Sequence, residues 1–118
     1  MTNLNHAIRF SFKSRVLAII RQHQGHDHAI RAMDLARELG LTDDRKVQLA
    51  IEDLIEEGTP VCSSCSHPMG YYLPVSAEEA EEYKRQLRSR AIGNYHRYKN
   101  FKVAFGTWFN GAQQRRLL

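Results

Sequence analysis

Phe12, Val16, Ile19 and Ile20 recur at three- and four-residue steps in SFKSRVLAIIRQHQG, the spacing of one buried stripe on a helix. Ser11 stands where an N-cap would, and Gly25 follows the end. The next segment, HDHAI, leads into a short extended stretch expected at Ala29–Arg31. Ala32, Leu35, Ala36 and Leu39 then form a second apolar face of about two turns. Gly40 supplies a left-handed break and Leu41 plugs the corner. Val47, Ala50, Ile51 and Leu54 are the inner face of a third helix, with Thr42 as its expected cap, Asp43 and Asp44 at its positive end, and Gly58 as its stop. Short helix, glycine turn and longer helix are the helix-turn-helix pattern.

Two β-prone runs follow, TPVCSS and GYYLP, separated by the proline-containing CSHPM. They read as a hairpin with strands at Thr59–Ser63 and Tyr71–Leu73, its two tyrosines alternating between core and solvent. Ser76-Ala-Glu-Glu79 is a capping box opening a long helix, expected to about Lys102. Ala80, Tyr83, Leu87, Ala91, Tyr95 and Tyr98 recur along it, a stripe that outruns the domain meant to bury it. The expectation is therefore a homodimer built on Tyr83, Leu87, Ala91, Tyr95 and Tyr98, which Phe101, Phe105 and Trp108 would extend. The alternative is a helix that bends at Gly93 and folds back on Leu4, Ile8 and Phe12. The fold class is mainly α with a small β-hairpin: an arm at 1–10, a helix-turn-helix with hairpin at 11–76, a long helix at 77–104, and an aromatic, basic tail at 105–118.

Charge changes this picture only when it is located. The chain has 118 residues and a net charge of +4. Residues 1–58 carry eight Lys/Arg against nine Asp/Glu, residues 59–76 carry neither, and residues 77–118 carry nine against four. The basic excess belongs to the C-terminal third, and it points to an anionic partner. No apolar run is long enough to span a membrane, and two cysteines without a signal-like N-terminus fit a reducing, cytoplasmic setting.

The order of these elements resembles a winged helix-turn-helix domain. The residues that carry the resemblance are ELGLTDDRKVQLAIEDLIEEGTPVCSS followed by GYYLP: a leucine–glycine corner, a helix ending in an Ile-x-x-Leu pair and Glu-Glu-Gly, a Pro-Val strand, and a Gly-Tyr-Tyr-Leu return. They are similar to winged helices of bacterial regulators of the biotin-repressor type, and more closely to small winged-helix proteins encoded by bacteriophages and prophages. The resemblance implies a DNA-binding regulator of transcription or replication, with the third helix in the major groove and the wing on the backbone. It implies neither catalysis nor a cofactor, and the chain has no Gly-rich phosphate loop and no Gly-x-Ser-x-Gly.

On that template the outward face of the third helix is Arg45, Leu49, Glu52 and Glu56, flanked by Lys46 and Gln48. Arg45, Lys46 and Gln48 suit base edges or phosphates, Arg31 and Thr42 suit phosphates at helix starts, and Ser64 and His67 would be the contacts of the wing. Arg88 and Arg97 of the long helix would supply electrostatic contact to the backbone. Against double-stranded DNA as partner stand the acids after Leu49 and a wing without Lys or Arg. The competing reading is a module that docks on a host polymerase, replication or partition protein through apolar Leu49, Pro68 and Met69.

Cys62-x-x-Cys65-x-His67 has the look of a zinc half-site. A fourth ligand would have to come from His23, His26 or His28, and winged-helix topology puts His28 at the base of the sheet, away from the wing tip. The expectation is therefore no metal, with an inert thiol pair in a wing.

Overall fold

The computed structural model describes residues 4–117, with side chains described from 11 to 115. Its elements are α1 (Leu4–Ile20), a 3₁₀ turn (His26–His28), α2 (Ala32–Glu38), α3 (Arg45–Glu56), β1 (Cys62–Ser64), β2 (Gly70–Tyr72) and α4 (Ala77–Leu117). The protein is thus mainly α with one antiparallel hairpin and a long C-terminal helix. The chain divides into two compact units, Met1–Tyr83 and Lys84–Leu118.

In the first unit α3 packs on α1 and on α2. Val16 and Ile20 of α1, Leu35 and Ala36 of α2, and Val47, Ala50, Ile51 and Leu54 of α3 form one buried cluster, closed by Ile30 and Val61. Each large aliphatic here contributes about 1.5–3 kcal/mol by leaving water. The pairing of Lys13 with Glu57 ties α1 to the end of α3 at the rim.

Both helix ends in this core close by the same device. After α2, Gly40 (φ +76°) and Leu41 donate backwards to Arg37 and Ala36. After α3, Gly58 (φ +107°) and Thr59 donate to Ile55 and Leu54. Each is a Schellman turn, which satisfies the last carbonyls and needs a left-handed residue. Leu41 packs against the core as its hydrophobic contact.

β1 and β2 pair as Cys62–Tyr72, Ser63–Tyr71 and Ser64–Gly70. The other edge of β2 is bonded as well. Ile30 and Tyr71 exchange both backbone hydrogen bonds (2.9 and 2.7 Å), Gly25 N–H donates to Leu73 O (2.7 Å), and Leu73 N–H donates to His23 O (2.9 Å). The expected strand at Ala29–Arg31 shrinks to the single bridge at Ile30, because the 3₁₀ turn ends immediately before it. The first hairpin strand begins at Cys62 rather than Thr59: Pro60 has no N–H, and Val61 N–H turns back on Thr59 O (2.9 Å).

The tyrosines do alternate, but neither is fully exposed. Tyr71 is half-buried against the helical core, while Tyr72 is buried on the other face beside Cys62. The His26 ring covers Tyr72 at 5.5 Å. Burial, the Cys62 thiol and the Glu79 carboxylate push the Tyr72 phenol up to about 12.

The ends of two helices lie further out than the apolar pattern suggests. Ser11 is inside α1, not at its cap, since helix begins at Leu4 and takes in most of the expected arm. Leu4, Ile8, Phe12 and Val16 continue one four-residue spacing through it. Likewise, α4 continues through Gly93 and the whole aromatic stretch to Leu117, so the tail beyond 104 is helical. The helix is unbroken at Gly93, where the fold-back alternative would bend it. Half of the capping box forms at its start: Glu79 N–H donates to Ser76 Oγ (3.1 Å), while the Glu79 carboxylate accepts from Val75 N–H, one residue before the cap, and from His26 N–H, both at 3.3 Å.

Candidate nucleic-acid interface

The inner stripe of α3 fixes what its other side presents. Val47, Ala50, Ile51 and Leu54 are buried, which leaves Arg45, Lys46, Gln48, Leu49, Glu52 and Glu56 exposed. The helix starts two residues later than expected, with Asp44 as its cap residue and the Asp43 carboxylate accepting from Arg45 N–H at 3.1 Å. Thr42 is therefore exposed in the turn, and the charged Asp43 side chain takes the free N–H of Arg45 instead. Arg31 is the cap residue of α2 and is exposed.

The fold brings Arg31 and Ser64 to one shallow hollow, together with Met33, Asp44, Met69 and Tyr71. It leaves Arg45, Lys46 and Gln48 outside that hollow. Burial pushes the Tyr71 phenol up, and the nearby Asp44 and Glu52 carboxylates and the Tyr83 phenol add to the shift. The lining of this hollow thus sets one acid, Asp44, beside one base, Arg31. Ser64 is occupied in shaping the wing, donating to Ser66 O (2.9 Å) and accepting from Ser66 N–H (3.1 Å), whereas His67 is exposed at the tip. Leu49 is 59% exposed, an apolar group in the middle of the outward face.

The wing is also where the cysteines lie. Cys62 is 2% exposed, and burial, reinforced by the Glu79 carboxylate, pushes its thiol up, away from thiolate chemistry. Cys65 is exposed, and the two form no disulfide. The histidine nearest the wing is His26, whose Nε2 lies 3.4 Å from Ser66 O, so the histidine segment reaches further along the hairpin than topology alone implied. His28 instead offers its carbonyl to His23 Nδ1 at 2.7 Å. Among the described residues no three His, Cys, Asp or Glu side chains converge as a metal ion would require.

The charge divides with the fold. Residues 1–83 carry eight Lys/Arg against thirteen Asp/Glu, whereas residues 84–118 carry nine Lys/Arg and no Asp/Glu. This contrast is sharper than the one visible without the unit boundary, because the acids of the capping box belong to the first unit. Arg88 and Arg97 are both exposed on the second unit.

The apolar stripe also sorts into two parts. Tyr83 belongs to the first unit, half-buried, with its hydroxyl 3.2 Å from Ser63 Oγ. In the second unit Leu87, Ala91, Asn94, Tyr98, Phe101, Phe105, Trp108 and Ala112 follow each other at alternating four- and three-residue steps. That is a heptad seam. It passes through Asn94, and Tyr95 stands beside it under the Lys99 ammonium, 5.6 Å from the ring centroid. The aromatics of the seam form a ladder, with Phe105 6.3 Å from Phe101 and 6.5 Å from Trp108. A search for apolar residues alone passes over Asn94, which only the strict seven-residue repeat picks out.

Among the described residues no helix is long and apolar enough to cross a membrane. No family model, curated protein or solved structure matches the chain.

Proposed function

We propose that this protein binds double-stranded DNA, with the second unit supplying most of the phosphate contacts and the first turns of α3 meeting the groove. The observation that carries this reading is the charge segregation. A helical segment with nine Lys/Arg and no carboxylate is a polyanion-binding surface, since release of counterions from phosphate drives such binding. Arg45, Lys46 and Gln48 are exposed at one end of α3, the place from which a winged helix-turn-helix reads base edges. The sequence resemblance to winged-helix regulators of bacteriophages agrees with this use, and a homodimer would double the cationic surface.

The test is a mobility shift of a random duplex by the full chain at low salt. A shift that weakens steeply with salt is expected, and its absence at low salt would overturn the reading.

One observation favours a second reading, docking of the first unit on a protein partner. Leu49 and Met69 are 59% and 41% exposed on a unit whose net charge is negative. A pull-down from host lysate that recovers one stoichiometric protein, lost in Leu49→Asp, would support it.

A further inference from the structure

We infer that the Leu87–Ala112 seam of α4 pairs with the same seam of a second copy, parallel and in register, and that DNA promotes this pairing. The linkage rests on the DNA-binding reading; the pairing does not.

The first argument is area. Aromatic side chains carry roughly 150–250 Å² each. Tyr98, Phe101, Phe105 and Trp108 are 51–68% exposed, which leaves about 100–150 Å² open on each. Two copies would bury about 1,000 Å² through these residues alone, close to the roughly 1,200 Å² at which specific interfaces begin. Leu87 and Ala91 extend the contact.

The second argument is the repeat. A strict seven-residue repeat drifts about 20° per heptad around a straight helix, so only a partner that coils with it stays in contact. A flat lipid surface does not follow such a seam. A second α4 does.

Asn94 sets the direction. In a parallel, in-register pair it faces the same residue of the second copy, and the two amides satisfy each other. An antiparallel pair would set each amide against an apolar side chain, leaving a buried polar group unpaired.

The seam's edges supply the link to DNA. In the parallel register Arg97 lies against Lys102 of the second copy, and the symmetry makes two such contacts. Residues 84–118 contain no carboxylate to relieve them. The pairing is therefore opposed by like charge, and salt or phosphate weakens that opposition. Most DNA-binding surfaces only lose affinity as salt rises. This seam gains.

Sedimentation equilibrium of the full chain measures the pairing without DNA. From about 50 to about 500 mM NaCl the dimer Kd should fall about fivefold, the combined effect of two exposed like-charge pairs. Lys102→Glu converts both contacts to attraction, so that variant should dimerise more tightly at low salt and lose affinity as salt rises. With a random 20-base-pair duplex at low salt, two chains should bind together at concentrations where the free chain is monomeric.

A chain that stays monomeric at high salt, a dimer that weakens with salt, or a Lys102→Glu variant no tighter than the parent would each overturn the pairing. So would monomeric chains captured by phosphatidylglycerol vesicles through Phe101 and Trp108, which would assign the seam to lipid. Duplex bound by single chains sinks the linkage and leaves DNA binding standing. A salt-strengthened dimer with no duplex shift supports the pairing and sinks the DNA reading together with the linkage.

Discussion

Replacing Gly70 with alanine should detach the wing from the rest of the first unit. Gly70 opens β2 at φ +129°, a conformation that L side chains rarely adopt. A Cβ built there would stand 2.1 Å from Ile30 O, 2.3 Å from Ile30 C and 2.7 Å from Arg31 N. These are backbone atoms, so no rotamer change relieves the clash. The chain must therefore both take up strain at residue 70 and separate from Ile30. Backbone strain costs about 1–3 kcal/mol. Separation gives up the two hydrogen bonds exchanged by Ile30 and Tyr71, worth about 1 kcal/mol each. Together the loss should be about 3–5 kcal/mol, a large part of a small domain's stability.

Gly40→Ala is the control, because Gly40 is also left-handed (φ +76°) but its added Cβ meets nothing within 4 Å. It should cost only about 1 kcal/mol. Urea unfolding followed by circular dichroism compares the two. If Gly70→Ala lies within about 1 kcal/mol of Gly40→Ala, the tight junction between β2 and Ile30 is not what holds the wing.

Cys65→Ser should leave stability unchanged, whereas Cys62→Ser buries a hydroxyl and should lower it by about 1–2 kcal/mol; in a thiol titration Cys65 should react first and Cys62 only on unfolding. Thermal stability should fall in alkali. The folded state favours the neutral forms of Cys62 and Tyr72, so their contribution is complete below pH 9.0 and is lost as pH rises past the ordinary values of 9.0 and 10.0 toward about 12. A melting temperature that stays flat or rises from pH 8 to 11 would contradict this. Arg45→Ala and Lys46→Ala should each weaken duplex binding by about 1–3 kcal/mol if they reach base edges, as anisotropy titration would show.

The core of the first unit was legible because its signals are local and agree. The three apolar faces, the Gly40–Leu41 corner and the Ser76–Glu79 box each follow from spacing of four residues or fewer. The misplacements have particular causes, some local and some not. Thr42 lost the cap position of α3 to Asp44, two residues on, while Asp43 accepts from the Arg45 N–H. The strand expected at Ala29–Arg31 depends on a 3₁₀ turn and on a glycine forty residues later, a contact no local pattern encodes. Cys62 looked like half of a metal site because a Cys-x-x-Cys pattern says nothing of burial; its pairing opposite Tyr72 turns it inward. The helix expected to about Lys102 runs on to Leu117, and its seven-residue repeat continues to Ala112.

The most direct test of the central claim is the salt dependence of duplex binding by the full chain. The logarithm of the observed association constant should fall linearly with the logarithm of salt concentration. Contact with about four phosphates gives a slope of about −3.6, or a loss of about 10²-fold between 50 and 200 mM. Arg88→Ala and Arg97→Ala should each make the slope shallower by about one. No measurable association at 50 mM salt, or an affinity indifferent to salt, would contradict the account.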